Sequence, residues 1–263
     1  MSLILHPNLP VTFDGSIAIV TIDRREARNA FHMEMWTGMA DTMEALSAND
    51  DLRCVIIRGA GHEAFSAGAD IKAFEHERGS PEAEAIYAKI FNRGMQSIRL
   101  CQHPVVAAIQ GACLGGGTGI ATMCDFRVGG ENIKMGVTAR NLSLWYPYAE
   151  MDPVIAMVGT AVASEIFIEG RIFNGREAYE KGLLSRVVPD ADVHAEALAL
   201  AQRIAEGAPL AARFHKRAIQ KLRGPLPVTP AEEDAVSDFA LTEDFKGAVQ
   251  AFKAKRRPVW RAK

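Results

Sequence analysis

The stretch "GACLGGGTGIATMCDFR", Gly111–Arg127, contains five glycines, four of them within Gly115–Gly119. It follows the apolar run "VVAAIQG" (Val105–Gly111), which reads as a buried strand, and it passes into what reads as a helix start. Small residues at such a junction let another backbone or a ligand come closer than any side chain would permit. The spacing matches neither GxGxxG nor GxxxxGK[ST], which sets aside dinucleotide and P-loop readings. Tight packing of backbone on backbone is the structural alternative for the run taken alone. A second segment is built the same way: "AGHEAFSAGADIKAFEHE" follows the strand-like "CVIIRG" (Cys54–Gly59) and ends in small residues at another helix start. First helical turns carry unpaired N–H groups and the positive end of the helix dipole. Two such ends aimed at one point would hold an anion or a developing oxyanion.

Around these segments short apolar runs alternate with amphipathic ones. "IAIVTI" (Ile17–Ile22), Cys54–Gly59, Val105–Gly111 and "FRVGG" (Phe126–Gly130) read as strands, while His32–Asn49 and Pro81–Gln102 carry helical periodicity. This order predicts an α/β fold with largely parallel strands and crossover helices. After about Asp190 the stretches beginning "DADVHAEALALAQRIAEGAP", "LAARFHKRAIQKL", "PAEEDAVSDFALT" and "DFKGAVQAFKAKRR" are all helix-like, so a helical region closes the chain.

Composition excludes several classes. With 263 residues and a formal charge of −2, the chain has no broad basic field for nucleic acid. The one basic cluster, "KAKRRPVWRAK" at the C-terminus, reads as a solvated tail or as a site for phosphates. No apolar run of membrane-spanning length and no leader is expected. Four separated cysteines (Cys54, Cys101, Cys113, Cys124) form no CxxC pair and suggest buried, reduced thiols and a cytoplasmic protein. The seven histidines show no HxxxH or HExxH spacing, so no metal site is expected. Ser66 in "FSAG" has no nucleophile-elbow context and Ser143 no evident histidine partner, so no hydrolytic nucleophile is expected.

Taken together, "REARNAF" (Arg25–Phe31), "AFSAGADIK" (Ala64–Lys72), "HPVVAAIQGACLGGG" (His103–Gly117), "CDFRV" (Cys124–Val128), "GREAYEKGLLSRVV" (Gly175–Val188) and "TEDFKGAVQAFKAKR" (Thr242–Arg256) resemble the crotonase (enoyl-CoA hydratase/isomerase) family from about Ile17 to the C-terminus. The resemblance implies a crotonase-like ββα spiral core over residues 1–190 and a C-terminal helical trimerisation region over 191–263. It implies an acyl-CoA substrate, no permanently bound cofactor beyond the coenzyme A of that substrate, and a homotrimer or hexamer. By position, the backbone amides of Ala69 and Gly116 would hold the thioester oxyanion. Ala27, Ala67, Gly68, Asp70, Ile71, Lys72 and Gly115 would lie along coenzyme A, and Phe252 and Lys255 of the C-terminal helix would approach it.

Two matching positions depart from the hydratase pattern. The family's acid/base glutamates fall here on Gly119 and Ala139, neither of which carries a carboxylate. Efficient hydration is therefore not expected. The empty position at Gly119 reads either as decay of an unused site or as space kept for a substrate or another side chain. Tyr146, in "LWYPYAEMDP" (Leu144–Pro153), matches the active-site tyrosine of methylmalonyl-CoA decarboxylases, crotonase-fold enzymes that also lack both glutamates. Those enzymes carry a histidine where this chain has Ala69, so the match is partial. Glu150 and Asp152 are further acid/base candidates, and Arg140 is a candidate partner for a substrate carboxylate. Three readings stand: an enolate-forming acyl-CoA enzyme, a malonyl-type acyl-CoA decarboxylase using Tyr146, and a CoA-ester-binding paralogue with little catalysis.

Overall fold

The computed structural model describes residues 2–3, 5–142, 144–223, 229, 231, 238 and 241–263. The chain opens with β1 (Ser2–Leu3), β2 (Val11–Asp14) and β3 (Ile17–Ile22), then helix α1 (Met33–Ser47). Next come β4 (Cys54–Gly59), β5 (Ala64–Ser66), α2 (Phe74–Glu77) and α3 (Pro81–Arg99). They are followed by β6 (Val105–Ile109), β7 (Ala112–Leu114) and α4 (Gly116–Met123). The next turn holds β8 (Phe126–Gly130), β9 (Lys134–Gly136) and α5 (Tyr148–Ser164), and the chain continues through α6 (Gly175–Glu180) and β10 (Arg186–Val188). Helices α7 (Val193–Ala205), α8 (Pro209–Arg223) and α9 (Glu243–Lys253) complete the described elements.

A seven-stranded sheet runs β1-β2-β3-β4-β6-β8-β10 and a three-stranded sheet runs β5-β7-β9. From β3 onward the large sheet is parallel, as is the small one. Strands β4, β6 and β8 each hand the chain to β5, β7 and β9, so every turn of the spiral adds one strand to each sheet before a helix or 3-10 turn returns it. This is the ββα spiral expected. β6 is buried at every residue, which explains its unbroken apolar run. One core fills the space between the sheets and α1, α3 and α4. On the other face of the large sheet, α7 packs Val193, Ala197, Leu200 and Ala201 against Ile17, Ile56, Val106 and Val128. The helical region thus begins on the sheet itself.

Helix α8 is fastened to the same body. The Lys216 ammonium, nearly buried, donates to the His103 carbonyl (2.9 Å) and pairs with Asp125 (2.7 Å). Asp244 at the start of α9 accepts from the Arg261 and Ala262 N–H groups, and the Trp260 indole donates to the Glu206 carbonyl, which folds the tail back. All four cysteines are free and buried, and burial pushes the Cys54 and Cys113 thiols up to about 12.

One expectation is corrected. Tyr148–Glu169 forms a helical run of 22 residues, long and apolar enough by length and composition to cross a bilayer, with an 18-residue window of mean hydropathy 1.5 of which 22% is buried. The charges of Glu150, Asp152 and Glu165 and the interior Pro153 disguise the run in the sequence. Gly159 (φ 73°) breaks its helical geometry.

Candidate active site

The loop before α1 fixes the first small-residue segment. Arg28 and Asn29 take left-handed conformations (φ 51° and 57°), which an Asn tolerates better than most residues. Asn29 accepts from the Arg24 N–H (3.0 Å) and donates to the carbonyls of Ala60 (3.1 Å) and Ala64 (2.7 Å). The Ser66 hydroxyl donates to the Asn29 carbonyl (2.8 Å) and accepts from the Gly68 N–H (3.1 Å). The Phe31 N–H donates to Gly68 (2.8 Å) and the Asp70 N–H donates back to Phe31 (2.8 Å). In this parallel bridge residues 68 and 70 pair with Phe31, which leaves the N–H of Ala69 turned away from that partner. Asp70 accepts from Arg24 (2.8 Å) and from the Lys72 N–H (3.0 Å). Partial burial opposes its charge, but these donors and the positive charge of Arg24 outweigh that and hold its carboxyl below the usual range.

The second segment is pinned from below. The Thr118 hydroxyl lies 2.6 Å from the Cys113 carbonyl and 2.8 Å from that of Gly136, and accepts from the Gly136 N–H (3.2 Å). Gly115 donates to Gly136 (2.9 Å), so α4 begins at Gly116, whose N–H lies in the unpaired first turn. Gly68 (φ +93°) admits no side chain: a Cβ there would come 2.7 Å from the Leu114 carbonyl and 2.9 Å from the Gly116 nitrogen. A Cβ on Gly116 would come 3.6 Å from the Ala69 nitrogen. The two segments lie backbone against backbone, and neither the Ala69 nor the Gly116 N–H has an acceptor among the described residues. Tight packing and open amides are here one arrangement, able to receive a single oxygen between two donors.

The space at Gly119 is filled by other residues. A Cβ there would meet the Tyr146 hydroxyl oxygen at 2.7 Å and the Met95 terminal methyl at 2.8 Å. Tyr146 donates to the Gly115 carbonyl (3.3 Å), one residue from Gly116, and its ring lies 5.2 Å from that of Phe167. Burial, with a smaller contribution from the Glu150 charge, raises its phenol above the ordinary tyrosine value. The side chain that occupies the space beside Gly119 is that of Tyr146.

Glu150 and Asp152 part company. Glu150 is fully buried, and neither carboxyl oxygen has a hydrogen-bond partner among the described residues. Burial pushes its carboxyl up to about 7. A buried polar group left without a partner is uncommon and calls for a function or a bound molecule. Asp152, two residues on and therefore on the opposite side of α5, is half-exposed and pairs with Arg99 (3.4 Å) and Arg223 (4.0 Å). Arg140 donates to the Ile168 carbonyl (2.7 Å), committed to the end of the helical run. Ala139 is half-buried against the core.

Aromatic groups wall the other side. Trp36 is fully buried, its ring 3.2 Å from where a Gly116 Cβ would be. It stacks on Phe31 (4.2 Å between centroids), meets Phe91 edge-on (4.8 Å), and its indole donates to Tyr87 (3.1 Å). A cavity of about 300 Å³ lies between Phe74, Arg78, Glu84, Leu144 and Trp145. A second, of about 410 Å³, opens beside the Arg25–Ala27 turn among Asp23, Arg25, Arg58, His62 and His194. Ala27 and Ala67 are half-buried, and Ile71 and Lys72 are exposed on the 3-10 turn after Asp70. Lys255 is exposed beyond α9, and the side chain of Phe252 lies outside the described residues. Arg24, Trp36 and Met95 shape the site without any motif to announce them, whereas Asn29 stands inside "REARNAF".

Two small-residue segments thus bring two amides without acceptors among the described residues close together on an α/β protein of ββα spiral architecture. The family model described as enoyl-CoA hydratase/isomerase matches residues 12–263, and the chain belongs to that family, within the crotonase superfamily. It is similar to a solved enoyl-CoA hydratase/carnithine racemase from Magnetospirillum magneticum, at 40% identity and TM-score 0.95 over 98% of this chain and 97% of that one. It is 31% identical to an enoyl-CoA hydratase of Mycobacterium tuberculosis, over 96% of each chain. It is 29% identical to the short-chain-enoyl-CoA hydratase of Clostridium acetobutylicum, over 95% of this chain and 96% of that one.

Proposed function

We propose that this protein is an acyl-CoA enzyme in which the Ala69 and Gly116 amides stabilise a thioester enolate, and in which Tyr146 and Glu150 replace the missing glutamates. The observation that carries this reading is the Tyr146 hydroxyl seated in the space of a Gly119 side chain, beside the free Gly116 amide. Two oriented donors act where negative charge develops, each worth about 100–1000-fold in rate. The phenol stays protonated at neutral pH and is a proton donor to the enolate carbon. Glu150, poised near neutrality, is the reservoir that restores that proton. The groups around the Arg25–Ala27 turn, basic on balance, suit the phosphates of coenzyme A.

A second, narrower reading is decarboxylation of a malonyl-type thioester. The bond between the α-carbon and the carboxylate breaks, carbon dioxide leaves, and the electron pair becomes the enolate held by the two amides. The Tyr146 proton then adds to the α-carbon. This route needs no base to abstract a proton, which agrees with the absence of carboxylates at Gly119 and Ala139. A trimer or hexamer is the assembly in keeping with the family, and the largely exposed apolar run Tyr148–Glu169 supports it. Light scattering on the purified protein measures it, and a monomer would remove that part of the proposal.

A panel of acyl-CoA thioesters followed by mass spectrometry tests the function, with Gly116→Pro as the probe of the amide pair. Loss of that donor should lower turnover about 100-fold or more. Retained turnover in a variant that circular dichroism shows to be folded would remove Gly116 from the mechanism. No turnover of any thioester by wild type would leave the binding-only paralogue.

A further inference from the structure

The amino-terminal segment lies against the start of α1, and three metal-ligand side chains meet there. His6, His32 and Glu34 each bring a ligand atom within 4.8 Å of the others. The meeting depends on Gly38, since a Cβ there would lie 2.7 Å from both Cβ and Cγ of His6. Glu34 and Gly38 are four residues apart on one helix face, so a ring laid on Gly38 reaches along the face that carries Glu34. His32, the residue preceding the first turn, closes the group, its ring centroid 6.0 Å from that of His6. The segment bearing His6 is held in place. The Leu9 N–H donates to the His6 carbonyl (2.9 Å), the Asn8 amide donates to the Asp23 carbonyl (2.8 Å), and Leu9 is fully buried.

We propose that His6, His32 and Glu34 form a binding site for a divalent transition-metal ion of zinc type, which clips the amino-terminal segment to α1. Two imidazole nitrogens and one carboxylate oxygen are a donor set that zinc accepts, with water in the fourth position. Bonds of about 2.0–2.2 Å put the ligand atoms of a tetrahedral ion roughly 3.4 Å apart. The side chains therefore need only rotate inward to close the site. The Asn8 N–H now donates to His6 Nδ1 (3.2 Å), and ligation through Nε2 would move the ring proton to Nδ1 and exchange that bond for one to the metal. The site lies one residue from Phe31, which pairs on both sides of Ala69, so the ion would also stiffen the approach to the paired amides. Local histidine spacing misses the site because His6 arrives from a different element.

The untagged full-length protein, stripped with a chelator, is titrated with zinc chloride by calorimetry, with magnesium chloride as the control. The expected result is one zinc per chain with micromolar or tighter affinity, no magnesium binding, and a melting temperature raised by about 5 °C at saturation. His6→Ala and Glu34→Gln should each weaken zinc about tenfold or more. Absence of stoichiometric zinc binding by wild type, or wild-type affinity in Glu34→Gln, would overturn the proposal. Glu34 is exposed, so Glu34→Gln decides the matter if His6→Ala does not fold.

Discussion

Replacing Gly119 by alanine opposes two effects of known size. Within α4, alanine is favoured over glycine by about 1 kcal/mol. The added Cβ lands 2.7 Å from the Tyr146 oxygen and 2.8 Å from the Met95 methyl. Met95 ends in a flexible methyl and can turn aside. Tyr146 cannot retreat without lengthening its 3.3 Å bond to the Gly115 carbonyl. Overpacking a close-fitted interior costs about 1–3 kcal/mol and a lost hydrogen bond about 1 kcal/mol. The sum is a net destabilisation of about 1–3 kcal/mol. Urea unfolding measures it as a lower midpoint at unchanged slope. The same displacement should depress turnover, and Gly119→Glu should not create a hydratase, because its carboxylate would enter space that Tyr146 and Met95 already fill. A Gly119→Ala protein stabilised by about 1 kcal/mol with full activity would refute the claim that this space is occupied.

Other outcomes follow from the same geometry. Tyr146→Phe keeps the ring and removes the proton donor, so turnover should fall about 100-fold or more while stability changes by about 1 kcal/mol or less. Burial holds Glu150 at about 7 when folded against 4.5 for the unperturbed group, so the folded state binds the extra proton. Stability therefore declines as pH rises from about 4.5 through about 7 and then levels, with a full penalty of about 3 kcal/mol. Glu150→Gln should lack this decline, and parallel melting profiles for the two proteins across that range would contradict it. Asp152→Asn, at an exposed ion pair, should cost less than about 1 kcal/mol and leave turnover unchanged when assayed beside wild type.

The elements legible in the sequence are those with a strong period. Ile17–Ile22, Cys54–Gly59 and Phe126–Gly130 are strands at their expected bounds, and the two long amphipathic stretches are α1 and α3. Strands of three residues, β5, β7 and β9, are too short to show alternation, although they carry the chain into both small-residue segments. Composition pointed to the two small-residue segments, while the choice of Ala69 and Gly116 within them came from the family resemblance. The choice between Glu150 and Asp152 was not readable, since it depends on the rotation of a helix whose start at Tyr148 follows from Pro147. Nor was the approach of Tyr146 and Met95 to Gly119, which joins three separate elements. The expected helix in "PAEEDAVSDFALT" falls mostly outside the described residues.

The most direct test of enolate chemistry without the two glutamates is a competition in one vessel. Wild-type protein receives equal amounts of crotonyl-CoA and methylmalonyl-CoA, and mass spectrometry follows gain of water by the first and loss of carbon dioxide by the second. Faster consumption of methylmalonyl-CoA, suppressed in Tyr146→Phe, is the predicted result. Rapid hydration of crotonyl-CoA by the wild type would contradict the account, because no carboxylate stands at Gly119 or Ala139 to activate the water.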